Sequence, residues 1–255
     1  MSDNVITSRE NPLVKRLRQL AQDPVAYRKQ GQVWLEGDHL CRALLARRGV
    51  PTMVVCTPEQ LPAVRAWGLP DGVRAVLLSA DLMRHISGLE SPANMAFVLD
   101  LPVDKHLQPD APTVVLDRLQ DPGNVGSILR SAAAFGFRQI VAIKGTAALW
   151  APKVLRAGMG AHFGLHLVEG CAQEDLDTLN VPLLATSSHQ GDWLHQAQLP
   201  WPCAWLMGHE GQGVSEALIA RARQTVRIAQ PGGEESLNVA AAAAICLHAS
   251  AVQVG

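Results

Sequence analysis

The chain reads as an α/β protein in which a small leading α/β domain precedes a larger one, built on a parallel sheet with helices on both faces. Three observations predict this. Beyond residue 113, apolar runs of strand length alternate with helix-length segments, the order that yields a parallel sheet. The segment LPVDKHLQPDAP at 101–112 holds three prolines, mixed charges and little periodicity, which marks a connection and divides the chain into 1–107 and 108–255. Two apolar runs within 205–252 each stop at a glycine-containing loop and restart as a helix, the arrangement that an open parallel sheet offers a ligand at its carboxyl edge.

Taken in order, Asn11-Pro12 opens a helix whose apolar residues Leu13, Val14, Leu17 and Leu20 share one face. Lys15, Arg16 and Arg18 occupy the opposite face, with Arg28 and Lys29 just beyond, and these cations suit either a solvated helix or a phosphate-contacting surface. QVWLEG then reads as a strand, 38–48 as a helix, TMVVCT as a strand and 58–67 as a helix. A strand at 73–78, a helix at 80–86 and a strand at 95–99 complete the first domain. In the second, strands are expected at 113–116, 139–143, 163–167, 183–186, 204–207 and 225–229, with helices at 124–135, 172–179, 215–223 and 236–252. The last helix has almost no polar face, so it is expected to be buried on all sides, against the sheet or a second copy of the chain.

Composition narrows the class. With 255 residues, of which 48% are hydrophobic, the chain can bury a substantial core. Its longest apolar run, 239–247, is far short of the roughly 20 residues that span a bilayer, and MSDNVITSRENPL carries charges where a signal peptide needs an apolar segment. A cytoplasmic protein with no membrane partner is expected. The net charge of -1 conceals a modest asymmetry, with nine Lys and Arg against six Asp and Glu in residues 1–60 and thirteen against seventeen thereafter. Nucleic-acid contact is therefore a local property at most. Cys41, Cys56, Cys171, Cys203 and Cys246 are scattered, with no CxxC pair, and read as buried free thiols; no metal site is expected.

Three stretches carry candidate chemistry. In LDRLQDPGNVGSILRSAAAFGF, Asp121-Pro122-Gly123 turns the chain and Asn124 is placed to cap a helix, with Val125, Ile128, Leu129 and Ala132 on its buried face. Arg130 projects off that face, as an ordinary surface arginine or as a group for phosphate or a hydroxyl proton. In GHEGQG, the glycines of 208–213 permit close approach of backbone to a ligand, and Glu210 sets a carboxylate at the loop's lip. The spacing matches neither GxGxxG nor GxxxxGK[ST]. His209 is either solvated or a general base. In IAQPGGEESLNVAAAAAI, a Pro-Gly-Gly turn leads into a helix opened by Ser236 and Asn238, with Ser236 as the expected cap.

Together these stretches resemble, in order and near spacing, the three motifs of the TrmH (SpoU) branch of the SPOUT RNA methyltransferases, over roughly residues 113–252. ITSRENPLVKRLRQL, with WLEGDHL after it, resembles the small substrate-binding domain that often precedes the catalytic one. The resemblance implies S-adenosylmethionine as cofactor, methyl transfer to a ribose 2′-hydroxyl of ribosomal or transfer RNA, a homodimer, and a C-terminal trefoil knot, an exception to the rule against threaded chains. On matching positions it implies cofactor contacts from Thr186, Ser187, Met207, Gly208, Ile228, Gln230 and Leu237. It further implies catalytic roles for Asn124, Arg130, Glu210, Ser236 and Asn238, and RNA docking near Lys15, Arg16, Arg18, Arg28 and Lys29. Two other readings stay open at this point: base methylation, and a non-catalytic RNA-binding or ribosome-assembly protein that keeps the fold.

Overall fold

The structure, a computed structural model, describes residues 5–101, 104–187, 190–232 and 236–254. In chain order its leading elements are α1 (Pro12–Gln22), α2 (Ala26–Gln30), β1 (Gln32–Glu36), α3 (Asp38–Ala46), β2 (Met53–Cys56), α4 (Leu61–Arg65), β3 (Arg74–Leu77), α5 (Ala80–Ile86) and β4 (Met95–Asp100). There follow β5 (Thr113–Asp117), α6 (Pro122–Ala134), β6 (Gln139–Ile143), α7 (Pro152–Gly158), β7 (His166–Cys171) and β8 (Leu183–Thr186). The last are β9 (Asp192–Trp193), β10 (Ala204–Gly208), α8 (Glu216–Ile219), β11 (Gln224–Arg227) and α9 (Val239–Val252). Two compact units result: Met1–Val103 with Trp150–Phe163, and Asp104–Leu149 with Gly164–Gly255.

In the first unit the sheet runs β1-β4-β2-β3, with β4 antiparallel to both neighbours and β2 parallel to β3. Asn11 caps α1, its Oδ1 accepting from the Leu13 N–H at 2.9 Å, and Pro12 occupies the first turn. Val14, Leu17 and Leu20 are buried as their spacing predicts, where α1 packs on β1 and α5. Lys15, Arg16, Arg18, Arg28 and Lys29 are all exposed. Lys15 pairs with Glu10 at 2.5 Å, and the Arg28 guanidinium lies 5.6 Å from the Tyr27 ring centre. The helix α7 has no counterpart in the sequence reading, because about two turns are too few to show a period; it packs on α1 and β1 in this unit.

The second unit is a seven-stranded sheet, β7-β6-β5-β10-β8-β11-β9, parallel throughout and flanked by helices. Side chains alternate across it. Val115, Val141, Ala185, Ala204 and Leu206 join Leu176, Val214 and Leu218 in the core of one face. On the other, α9 packs against α6 and β10, and Trp205, fully buried, donates from Nε1 to Ser250 Oγ at 2.9 Å. Burial on both faces explains why these strands read as continuous apolar runs.

Several expected boundaries move. The strand expected at 163–167 starts three residues late and runs on further; a 3-10 turn at Ala161–Gly164 follows Met159 and Gly160, both at positive φ, and β7 begins only at His166. The helix expected at 172–179 is a 3-10 turn, Glu174–Thr178, and the one at 215–223 shortens to α8, since the Arg223 N–H already donates to Leu183 O at 2.9 Å. Asn124 does not cap α6. Pro122 sits at its first position, so Asp121 is the cap, accepting from the Asn124 N–H at 2.8 Å. Ser236 likewise does not cap α9; Asn238 does. Nor is α9 buried on all sides, because Ile245 and Val252 stay 40% and 60% exposed.

Candidate active site

The site forms where the carboxyl ends of β5, β8, β10 and β11 meet, because β10 lies between β5 and β8 and β11 lies beyond β8. At the end of β5, Asp117 is fully buried. Its Oδ2 accepts from the Ser215 N–H at 2.7 Å and its Oδ1 from Arg118 Nε at 3.0 Å. Arg118, at a left-handed φ of 60, also reaches Gln212 Oε1 at 3.4 Å. The turn after β10 is thus held from two points by a buried carboxylate whose charge is compensated.

Within that turn, Gly208 has no room for a side chain: a Cβ there would collide with the backbone of Gly213 and Val214. The His209 and Gly213 N–H groups each donate to the other's carbonyl, at 3.0 and 2.8 Å, closing the loop tightly. This presents Glu210 outward to the start of α6. Its Oε2 accepts from the Gln120 N–H at 3.1 Å, and its Oε1 from the Asp121 N–H at 3.0 Å and Asn124 Nδ2 at 3.2 Å. Burial pushes the Glu210 carboxyl up, but the hydrogen bonds from Asp121, Gln120, its own backbone and Asn124 outweigh it, so its pKa falls below the usual carboxylate value. Asn124 Oδ1 accepts from Asn238 Nδ2 at 3.0 Å, and Asn238 Oδ1 caps α9 through the Ala240 and Ala241 N–H groups at 2.9 and 3.2 Å. One relay of polar contacts, Glu210 to Asn124 to Asn238, therefore ties all three motif stretches together.

Beside the relay lies a hollow of about 490 Å³. Thr186, Ser187, Gly208, Ile228, Gln230 and Leu237, all expected cofactor contacts, line it, together with Glu210 and Ser236. Met207 does not line it: buried in β10, it alternates with Leu206 and shares the face of Trp205, towards α9. Arg130 is exposed on α6 and makes no hydrogen bond or ion pair among the described residues; neither it, Asn124 nor Asn238 lines the hollow. His209 Nδ1 accepts from the Gly211 N–H at 3.0 Å, which orients the ring within its own loop. Gly233, Glu234 and Glu235 of the third motif lie outside the described residues.

The sequence reading missed Val214, Ile219, Val239 and Ala242, which supply apolar wall, and the buried Asp117 beneath. Val239 and Ala242 were findable, being three apart on one helix face. The hollow pairs apolar walls with a polar rim, and Gln230 Oε1 is buried in it with no hydrogen-bond partner among the described residues. That orphaned acceptor calls for a donor from a ligand. S-adenosylmethionine, with an aromatic base and N–H and O–H donors, fits this donor set.

Comparison with known proteins agrees. The model of the SpoU rRNA methylase family matches residues 111–248, and that of the MRM3-like substrate binding domain matches 11–96. An uncharacterized tRNA/rRNA methyltransferase from Synechocystis is 33% identical, over 95% of this chain and 92% of that protein. The 23S rRNA (guanosine(2553)-2′-O)-methyltransferase RlmP of Bacillus subtilis is 30% identical, over 84% of this chain and 86% of its own length. The AdoMet-bound rRNA methyltransferase from Sinorhizobium meliloti superposes with a TM-score of 0.86 at 25% identity, covering 99% and 98% of the two chains. With three ordered motifs on one polar relay, and a family model matching more than half its length, the chain belongs to the TrmH/SpoU family of RNA methyltransferases.

Proposed function

We propose that this RNA methyltransferase uses S-adenosylmethionine to methylate a ribose 2′-hydroxyl of ribosomal or transfer RNA. The observation that carries the reading is the Glu210–Asn124–Asn238 relay, which sets the first-motif helix against a ligand hollow holding an acceptor unpartnered among the described residues. The cofactor, when bound, supplies an electrophilic methyl that the hydroxyl oxygen takes as its proton is lost, leaving S-adenosylhomocysteine. Thr186, Ser187, Gly208, Ile228, Gln230 and Leu237 hold the cofactor; Met207 acts only by packing behind them. Glu210 serves as a brace, since three of its acceptor positions are taken by Gln120, Asp121 and Asn124. Ser236, exposed at the hollow's edge, is free to orient the ribose.

Arg130 remains a cation without a partner among the described residues. It lowers the barrier to proton loss by stabilising the developing alkoxide, with an RNA phosphate assisting. The first unit, expected as residues 1–107 and joined in the fold by Trp150–Phe163, is the RNA-binding domain, which docks RNA near Lys15, Arg16, Arg18, Arg28 and Lys29, and the remainder, expected as 108–255, is the methyltransferase domain. The exposed stripe Ala241, Ile245, His248 and Val252 on α9 supports pairing of two copies, and the family relationship supports a knotted path for the C-terminal segment and a cytoplasmic location. Among the described residues, no helix is long and apolar enough to cross a membrane.

The test is Arg130→Ala, assayed on ribosomal and transfer RNA with nuclease digestion and mass spectrometry of the nucleosides. Ribose methylation is expected in the wild type and abolished in the variant, with cofactor binding retained by calorimetry. Retained turnover removes Arg130 from the mechanism. Methyl found on a base overturns the ribose assignment, and wild-type chain that binds no S-adenosylmethionine overturns the enzyme reading.

A further inference from the structure

On the far edge of the second unit's sheet, β9 pairs in parallel with β11, and the register sets Trp193 directly opposite Arg227. Neighbouring cross-strand side chains on one face interact: the Arg227 guanidinium lies 4.1 Å from the Trp193 ring centre, while its Nε donates to Gly191 O at 2.9 Å. Trp193 nevertheless remains 38% exposed, an unusual position for the largest apolar side chain. The His195 ring follows, its centre 6.4 Å away and tilted by 31°. A hollow of about 410 Å³ opens beside the pair, lined by Asp192, Trp193, Gln196, Gln198, Gln224 and Arg227 among others. A second, adjoining hollow shares Gln198 and Gln224 and adds Arg223.

The wall of this surface is built. Leu194 and Ala197 anchor the segment in the core, and the Gln253 side chain at the end of α9 clasps it, donating to Ala197 O at 3.1 Å and accepting from the Leu199 N–H at 2.9 Å. The amide side chains offer donors and acceptors in a mixture that matches base edges. Arg223 and Arg227 pair with no carboxylate among the described residues, whereas Arg221 nearby is taken by Asp177 at 2.6 Å. In a chain of net charge -1, such local cations decide where a polyanion settles. Arg227 directly precedes Ile228 of the cofactor hollow, so the two surfaces share one strand end.

We propose that the Trp193–Arg227 pair and the polar hollow beside it receive an unpaired nucleobase of the RNA substrate and its phosphate, outside the methyl-transfer site. The proposal rests on the reading of the chain as an RNA methyltransferase. Arginine, tryptophan and base then form a continuous stack, and because Arg227 already fixes the indole, little side-chain freedom is lost on binding. Arg223 meets the backbone of the adjoining nucleotide.

The test uses the full chain and a short fluorescein-labelled oligoadenylate, followed by fluorescence anisotropy, with S-adenosylmethionine binding measured by calorimetry on the same samples. Trp193→Ala is expected to weaken oligoadenylate binding roughly tenfold, and Trp193→Phe to keep most of it, with cofactor affinity unchanged in both. Arg227→Ala weakens binding and lowers the slope of log affinity against log salt by about one. Wild-type RNA and cofactor binding with an unchanged Trp193→Ala variant overturns this proposal alone; a wild-type chain that binds neither ligand overturns the methyltransferase reading and this proposal together. A Trp193→Ala variant with altered sedimentation assigns the face to a second copy of the chain and also overturns it.

Discussion

The turn after β10 permits a graded prediction, since two of its three glycines are required, for different reasons, and the third is not. At Gly208 an added Cβ meets Gly213 and Val214 backbone inside the 3.0 Å that real Cβ atoms essentially never cross, and backbone held by the His209–Gly213 pair has nowhere to go. At Gly213 there is space, with nothing within 4 Å, but the φ of 70 penalises any L side chain. At Gly211 the nearest atom is His209 Nδ1 at 3.8 Å, an ordinary contact. Gly208→Ala should therefore cost about 3 kcal/mol or more by displacing the turn, in line with severe overpacking. Gly213→Ala should cost about 1 kcal/mol from left-handed strain alone, and Gly211→Ala under ~0.5 kcal/mol. Thermal unfolding of the second unit, followed by near-ultraviolet circular dichroism, reads these as falls of roughly 6–12 °C, 2–4 °C and at most about 2 °C. Cofactor binding by calorimetry should fail only in Gly208→Ala. Equal melting temperatures for Gly208→Ala and Gly211→Ala would refute the close-approach argument, because the two variants differ in space and not in turn chemistry.

Other consequences are simpler. Asn238→Ala removes a cap that serves two N–H groups together with the bond to Asn124, and should cost about 1–2 kcal/mol in urea unfolding. Glu210 has a lowered carboxyl pKa in the folded chain, so its contribution is present above the unfolded value of 4.5 and lost as pH falls through the lower folded one. Cofactor affinity measured against pH should decline in that acid window, whereas Glu210→Gln should be weaker at neutral pH and flat across it. All five cysteines are buried and free, and burial raises their thiols, Cys203 and Cys246 to about 12. A thiol reagent such as Ellman's should label none of them in the native chain and all of them in guanidinium; rapid native labelling of any one contradicts the packing.

What was legible in the sequence followed from local rules. Thr186, Ser187, Gly208, Ile228 and Gln230 are named by the family resemblance on matching positions, and they line one hollow because residues at and just past parallel strand ends reach the carboxyl edge together. Met207, named with them by the resemblance, is absent from the lining, since strand parity sends its side chain to the opposite face with Trp205. Glu210 could be picked out as exposed on a loop, but its work as a brace depends on partners 86 to 90 positions upstream, a distance over which no periodicity speaks. The Asn124–Asn238 contact spans 114 positions and has the same origin. The caps show how close competing local signals can be: Asp121 and Asn124, or Ser236 and Asn238, are equally good residue types, and the choice falls to where the preceding strand delivers the chain and to Pro122 fixing the first turn. A two-residue strand such as β9 lies below any local signal at all. Its existence is decided by β11, and so is the pairing of Trp193 with Arg227, which makes this edge, rather than the motif loops, the place where sequence alone says least and the folded chain most.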